Sequence, residues 1–204
     1  MSLIMGVAGA SLSSRSILVT GFAGLLAGAC SMALGEWLSV QSSRELYTKQ
    51  IAVEKEELIE APKEEEEELA LIYESKGVSR EEAKKLAASI IKDETKALAT
   101  LSREELGIDP ESLGGSAWEA AGTSFVLFTV GAIVPVLPFL WMQGQDAIVG
   151  SLLFSSAGLF VIGGAVTLFT GQRLLFSGLR QLGFGLAASG ITFMIGRAIG
   201  TAIS

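Results

Sequence analysis

The chain has 204 residues, half of them hydrophobic, with 24 glycines, one cysteine, no histidine and a formal net charge of −7. Without histidine it can build neither Ser-His nor Cys-His catalysis, no imidazole zinc site and no Glu-x-x-His di-iron motif, and Cys30 alone gives no intrachain disulfide. The charge is segregated: residues 44–111 hold 11 Lys/Arg and 19 Asp/Glu, whereas the rest of the chain holds four and three, with 22 of the glycines.

Residues 1–12 are apolar, but a helix of that length reaches only about 18 Å, too short to cross a bilayer. Neither a basic n-region nor a cleavage site marks them as a signal peptide. They read as the back half of a first membrane helix whose front half is missing. Residues 16–40, 117–141, 146–170 and 174–203 each offer about twenty or more mostly apolar residues, enough for ~30 Å of hydrocarbon. Gly21, Gly24 and Gly28, and again Gly196 and Gly200, sit at spacings that let membrane helices approach closely. The connection 171–180 carries Arg173 and Arg180, the connection 142–146 carries no basic residue, and 44–111 carries 11. Basic residues set orientation and acidic ones count little, so the polar middle is expected in the cytoplasm.

The polar middle reads as three helices. The first runs from about Ser43 to Lys76, continuing the membrane helix, with a kink at Pro62 and a C-cap at Gly77. The second opens on a capping box at Ser79-Arg80-Glu81-Glu82 and shows Ala83, Leu86, Ala87 and Ile90 on one face. The third begins after Asp93, carries Leu98, Leu101 and Leu106, and ends at Gly107. The expected fold is therefore an all-α membrane protein with four full transmembrane helices plus a partial first one. A cytoplasmic three-helix domain lies between the second and third membrane helices. The expected boundaries are 1–42, 43–113 and 114–204.

The stretch 53–77 holds ten glutamates. At about 100° per residue, Glu54, Glu57, Glu65 and Glu68 share an arc of about 80° along about 21 Å of helix. Glu56, Glu60, Glu66 and Glu67 point elsewhere, with Glu64 at the edge. Two readings stand: a solvated acidic face, or a site whose like-charge repulsion a divalent cation relieves. Oxygen ligands without sulfur or imidazole suit Mg, Ca, Mn or ferrous iron. In the second segment Met32 and Glu36 are four apart and share a helix face, a thioether over a carboxylate that could pass a transition metal. Ordinary packing for Met32 and a boundary position for Glu36, beside Trp37, is the alternative. Cys30 lies on another face and is expected in the core; Glu119 is expected at the membrane interface.

Four strings, in this order and spacing, resemble the vacuolar iron transporter family. They are Gly28-Ala29-Cys30-Ser31-Met32-Ala33-Leu34-Gly35-Glu36-Trp37, the glutamate helix 54–68, Arg103-Glu104-Glu105-Leu106-Gly107, and Gly131-Ala132-Ile133-Val134-Pro135-Val136-Leu137-Pro138. The resemblance covers essentially the whole chain. It implies a homodimer with five membrane helices per subunit that moves ferrous iron, and often manganese, out of the cytosol in exchange for protons. It implies metal capture by Glu54, Glu57, Glu65 and Glu68 with Glu105 of the last cytoplasmic helix. A methionine ligand of some members falls on Leu101, so that thioether is absent here. In the translocation path the family's methionine falls on Met32, joined here by Glu36, while its aspartate falls before Met1. No prosthetic group is expected; the bound ion is the cargo, Fe2+ or another divalent metal such as Mn2+. The expected partners are a second copy of the chain, membrane lipid, divalent metal ions and protons. The acidic exposed part argues against nucleic acid. No nucleophile motif or phosphate loop suggests an enzyme. The long acidic domain points to a bacterial inner membrane, with a vacuole-type organelle membrane as the alternative. The rival function is a membrane-anchored metal buffer or sensor without transport.

Overall fold

The structure is a computed structural model that describes residues 1–10 and 13–203. Among these residues it is all helical, with no strand: α1 Ser2–Gly9, α2 Ser14–Glu60, α3 Pro62–Ser75, α4 Arg80–Ile91, α5 Glu94–Glu104, α6 Ala117–Ile133, α7 Gly144–Ala165, α8 Thr167–Thr170 and α9 Leu174–Ile203. They form two compact units, one of Met1–Leu34 with Gly122–Ser204, the other of Gly35–Ala121.

Among the described residues, three helical stretches are long and apolar enough to cross a bilayer: α2, α7 with α8, and α9. The expected segment 117–141 is not one helix. α6 has 17 residues, about 25 Å of rise. Pro135 lacks an N–H and disfavours α geometry at Val134; the helix stops at Ile133 and the chain turns through a short 3-10 helix, Leu137–Leu140. The buried Ser151 hydroxyl donates to the Pro135 carbonyl at 2.7 Å, the kind of side-chain repair that makes a helix break tolerable in an apolar medium. Arg180 is also displaced from its expected connection. It lies inside α9, its guanidinium 5.8 Å from the Phe176 ring centroid, and only Arg173 remains between α8 and α9. Of the apolar 1–12 stretch, α1 ends at Gly9, while Ser11 and Leu12 lie outside the described residues.

The glycines act as the spacing predicts. Ile4, Met5 and Ala8 of α1 are buried with Ile17, Val136, Phe139 and Ala147. A side chain on Gly21 would meet Ile4, and one on Gly28 would meet the Phe128 ring. The closest approach is between α1 and α9, where a Cβ on Gly196 would collide with the Gly6 carbonyl and lie 2.8 Å from its carbon. Beside that crossing, the Thr192 hydroxyl donates to the Ser2 carbonyl at 2.8 Å.

The second unit holds the later turns of α2 with α3, α4 and α5, around a core of Leu58, Leu69, Ala70, Ala87, Ala97 and Leu101. Pro62 does more than kink the expected helix. It cannot donate to the carbonyl four residues back, and it forces Ala61 out of α geometry to φ −132°, ψ 51°. The expected single helix from Ser43 to Lys76 is therefore two, α2 ending at Glu60 and α3 starting with Pro62 as its first residue. Gly77 closes α3 as expected, with φ +93° and Val78 N–H donating to the Tyr73 carbonyl at 3.1 Å. At α4 the Ser79 hydroxyl donates to the Glu82 carboxylate at 2.5 Å rather than accepting a backbone N–H. Ala83 and Ala87 are buried on α4, but Leu86, expected beside them, is 41% exposed. Asp93 caps α5 by accepting the Lys96 N–H at 3.2 Å.

Candidate metal centre

The break at Ala61 builds the site. On one straight helix, Glu54 and Glu65 would stand about 16 Å apart along the axis. Instead, one carboxylate oxygen each from Glu54 on α2, Glu65 on α3 and Glu105 just past α5 lie within 4.8 Å of one another. The expected stripe along one helix is corrected to a convergence of three helices. Its anchoring follows from helical spacing. Leu58 and Leu69 lie one turn after Glu54 and Glu65, Leu101 lies one turn before Glu105, and all three leucines are buried in the unit's core. Residues four apart share a helix face, so the faces that bury these leucines carry the carboxylates inward. The Glu105 N–H donates to the Leu101 carbonyl at 2.9 Å. Around it, Lys76 pairs with Glu104, and Arg103 donates to Asp109 at 2.9 Å and to Glu111 at 3.3 Å.

Glu54 is 2% exposed and Glu65 6%, whereas Glu105 is exposed. The Oε1 atom of Glu54 is buried without a hydrogen-bond partner. Among the described residues, none of Glu54, Glu57, Glu65, Glu68 and Glu105 enters an ion pair. A buried carboxylate left so is costly unless it takes a proton or a cation. Glu57 is exposed and, with Glu54 and Glu105, lines an open cavity of ≈ 330 Å³ whose other walls include Lys49, Gln50 and Val53. Glu68 is exposed on α3 and faces a separate hollow with Glu64 and Glu67. The structure thus brings three of the five expected glutamates together and leaves Glu57 and Glu68 at the margin, near enough to act on the trio electrostatically. An all-carboxylate donor set suits hard or borderline divalent cations. Sequence reasoning missed Gln50, although its place one turn before Glu54 was a usable signal.

The titration behaviour follows. Burial first, then the charges of Glu105, Glu65, Glu57 and Glu68, pushes Glu54 up from 4.5 to about 7. Burial and neighbouring carboxylates, Glu68 the largest, also push Glu65 and Glu105 upward. Because these folded-state values lie above the unfolded ones, the protonated trio favours the folded state. That contribution is complete below pH 4.5 and is lost as pH rises through about 7. The metal-free protein is expected to melt at higher temperature at pH 5 than at pH 8, and a divalent metal at pH 8 is expected to restore the difference. Scanning calorimetry of detergent-solubilised protein with chelator, then with Mn2+, checks both.

Met32 is half exposed on α2, and Glu36, one turn later, is exposed as well. Cys30, expected in the core, is exposed. The Trp37 ring meets the Trp118 ring tilted by 58°, with centroids 5.8 Å apart. Glu119 is exposed in the first turn of α6, its N–H donating to the Ser116 hydroxyl at 3.4 Å.

A family model for the VIT family matches residues 1–197. The chain belongs to the VIT family. It is 30% identical over 202 residues to vacuolar iron transporter 1 of Arabidopsis thaliana, covering 97% of this chain and 79% of that protein. It is 32% identical over 204 residues to a vacuolar iron transporter of Centaurea cyanus, covering 100% and 82%. A vacuolar iron transporter of Acanthamoeba castellanii is 34% identical over 188 residues, covering 92% and 71%. The resemblance read from residues 28–37, 54–68, 103–107 and 131–138 is therefore borne out. VIT-family members are transporters, so this VIT-family chain is not an enzyme. Its long apolar helices make it a membrane protein.

Proposed function

We propose that the protein carries divalent metal, ferrous iron and in a second role manganese, out of the cytosol in exchange for protons, as a homodimer. The observation that carries this reading is the buried, unpartnered Glu54 oxygen within 4.8 Å of Glu65 and Glu105 oxygens. In this reading residues 43–113, with the later turns of α2 and with α3, α4 and α5, form a cytoplasmic capture domain between membrane segments two and three. Glu54, Glu65 and Glu105 hold the ion, and Glu57 and Glu68 draw it in. α6 completes a set of four spans in a bacterial inner membrane.

A carboxylate accepts either a proton or a metal ion, so loading the site releases protons. From there the ion is handed to Met32 and Glu36. The thioether of Met32 adds a soft donor, and Glu36 repeats the proton-or-metal choice, which makes the two fluxes exclusive. Exchange follows from that exclusivity. Proteoliposomes with an acidic lumen are expected to show proton efflux that depends on external Fe2+, abolished by Glu36→Gln. Metal uptake without proton movement would overturn the exchange mechanism. Metal binding without uptake would favour the buffer or sensor, for which the compactness of the Gly35–Ala121 unit is the supporting observation.

A further inference from the structure

The cavity that opens onto Glu54, Glu57 and Glu105 is not lined by acids alone. Lys49 stands in its wall, the one basic residue among those that line it. Lys55 and Lys63, the lysines closest in sequence to the glutamates, line neither this cavity nor the hollow beside Glu68. Lys49 is exposed, and among the described residues the ion pairs involve Lys76, Arg80, Lys96 and Arg103 but not Lys49. An unpaired ammonium on a flexible four-carbon stem therefore shares a cavity of ≈ 330 Å³ with three carboxylates.

We propose that Lys49 is a tethered counter-charge of the metal site: exposed in the cavity wall and held by no fixed ion pair, its ammonium competes with an entering divalent ion for the carboxylates. Its flexible stem lets the ammonium follow the carboxylates into the cavity and withdraw toward solvent, with no backbone movement required. A competing cation of fixed local concentration lowers affinity for the cargo. A transport site needs that, since an ion must bind well enough to enter and loosely enough to leave. The inference rests on the reading of Glu54, Glu65 and Glu105 as a metal site.

Calorimetric titration of the full chain in detergent with Mn2+ tests it. Lys49→Gln is expected to tighten binding about three- to fivefold at low salt, with the gain shrinking as salt rises. Lys49→Arg, which keeps the charge, is expected to bind like the wild type, and so is Lys84→Gln, a charge removal on α4 away from the cavity. Wild-type-like or weaker binding by Lys49→Gln overturns the role of Lys49 alone, as does an equal gain from Lys84→Gln. A wild-type protein that takes up no Mn2+ overturns the metal site and this inference together.

Discussion

Replacing Glu54 and Glu65 together by glutamine is expected to abolish Mn2+ binding while making the metal-free protein more stable at pH 8. The two effects have one cause. Glu54 and Glu65 are buried, and Glu54 is pushed up to about 7 by burial and by surrounding carboxylates. At pH 8 both carry charge in a place that disfavours it, so a neutral amide of similar shape removes the repulsion and the desolvation cost. The same change removes two of three converging donors, so the affinity loss should be a hundredfold or more, on the scale of about 3 kcal/mol. Titration calorimetry reads the first effect and a thermal melt with chelator reads the second. Glu66→Gln with Glu67→Gln serves as the comparison, removing equal charge from α3 outside the trio. It should shift affinity by no more than a few fold. If the two double variants weaken binding equally, the acidic helix is a diffuse charged surface rather than a site. An unchanged or lower melting temperature for the Glu54/Glu65 variant would show that these carboxylates are not under strain.

Gly196→Ala is expected to lower the melting temperature by about 5–10 °C, whereas Gly190→Ala on the same helix should be neutral. At Gly196 the added methyl would collide with the Gly6 carbonyl and sit 2.8 Å from its carbon, while at Gly190 nothing lies within 4 Å. Backbone cannot yield as a side-chain end can, so α1 must move off α9. The hydrogen bond from Thr192 to Ser2 should be lost with it. Differential scanning fluorimetry in detergent measures the destabilisation. A melt unchanged by Gly196→Ala would mean that α1 and α9 do not pack as described.

The glutamates were legible in the sequence for a reason only partly sound. Projecting 54–68 onto one helix selected Glu54, Glu57, Glu65 and Glu68, yet no such helix exists. The projection paired Glu54 with Glu57, and Glu65 with Glu68, because each pair is three apart within an intact helix; of these four, the structure brings only Glu54 and Glu65 together with Glu105. What brings Glu54 to Glu65 is the break at Ala61-Pro62, a tertiary fact that no periodicity reports. Pro62 itself gave warning of a break, and only its size was misjudged. Glu105 had no signal in spacing at all. Its place depends on Leu101 sinking into a core formed by residues up to 43 positions earlier in the chain, such as Leu58, and only family resemblance pointed to it. Leu86 shows the reverse error: apolar and in phase with Ala83 and Ala87, it is left outside because the small alanines let α4 pack closely.

The membrane segments were legible from length and composition, apart from their internal breaks. Val134-Pro135-Val136-Leu137-Pro138 is as apolar as a helix interior, and hydropathy alone passes over it. Two prolines three residues apart should end a helix, and they do, at Ile133. Glycine spacing was the more reliable guide, since Gly21, Gly28 and Gly196 mark real close approaches.

The most direct test of the central claim is an anomalous difference map from crystals of the full chain grown with Mn2+. The arrangement of carboxylates predicts one strong peak held between oxygens of Glu54, Glu65 and Glu105, and its loss in the Glu54→Gln variant. A peak held by Glu66 or Glu67 instead, or no peak with manganese at saturating concentration, would contradict it.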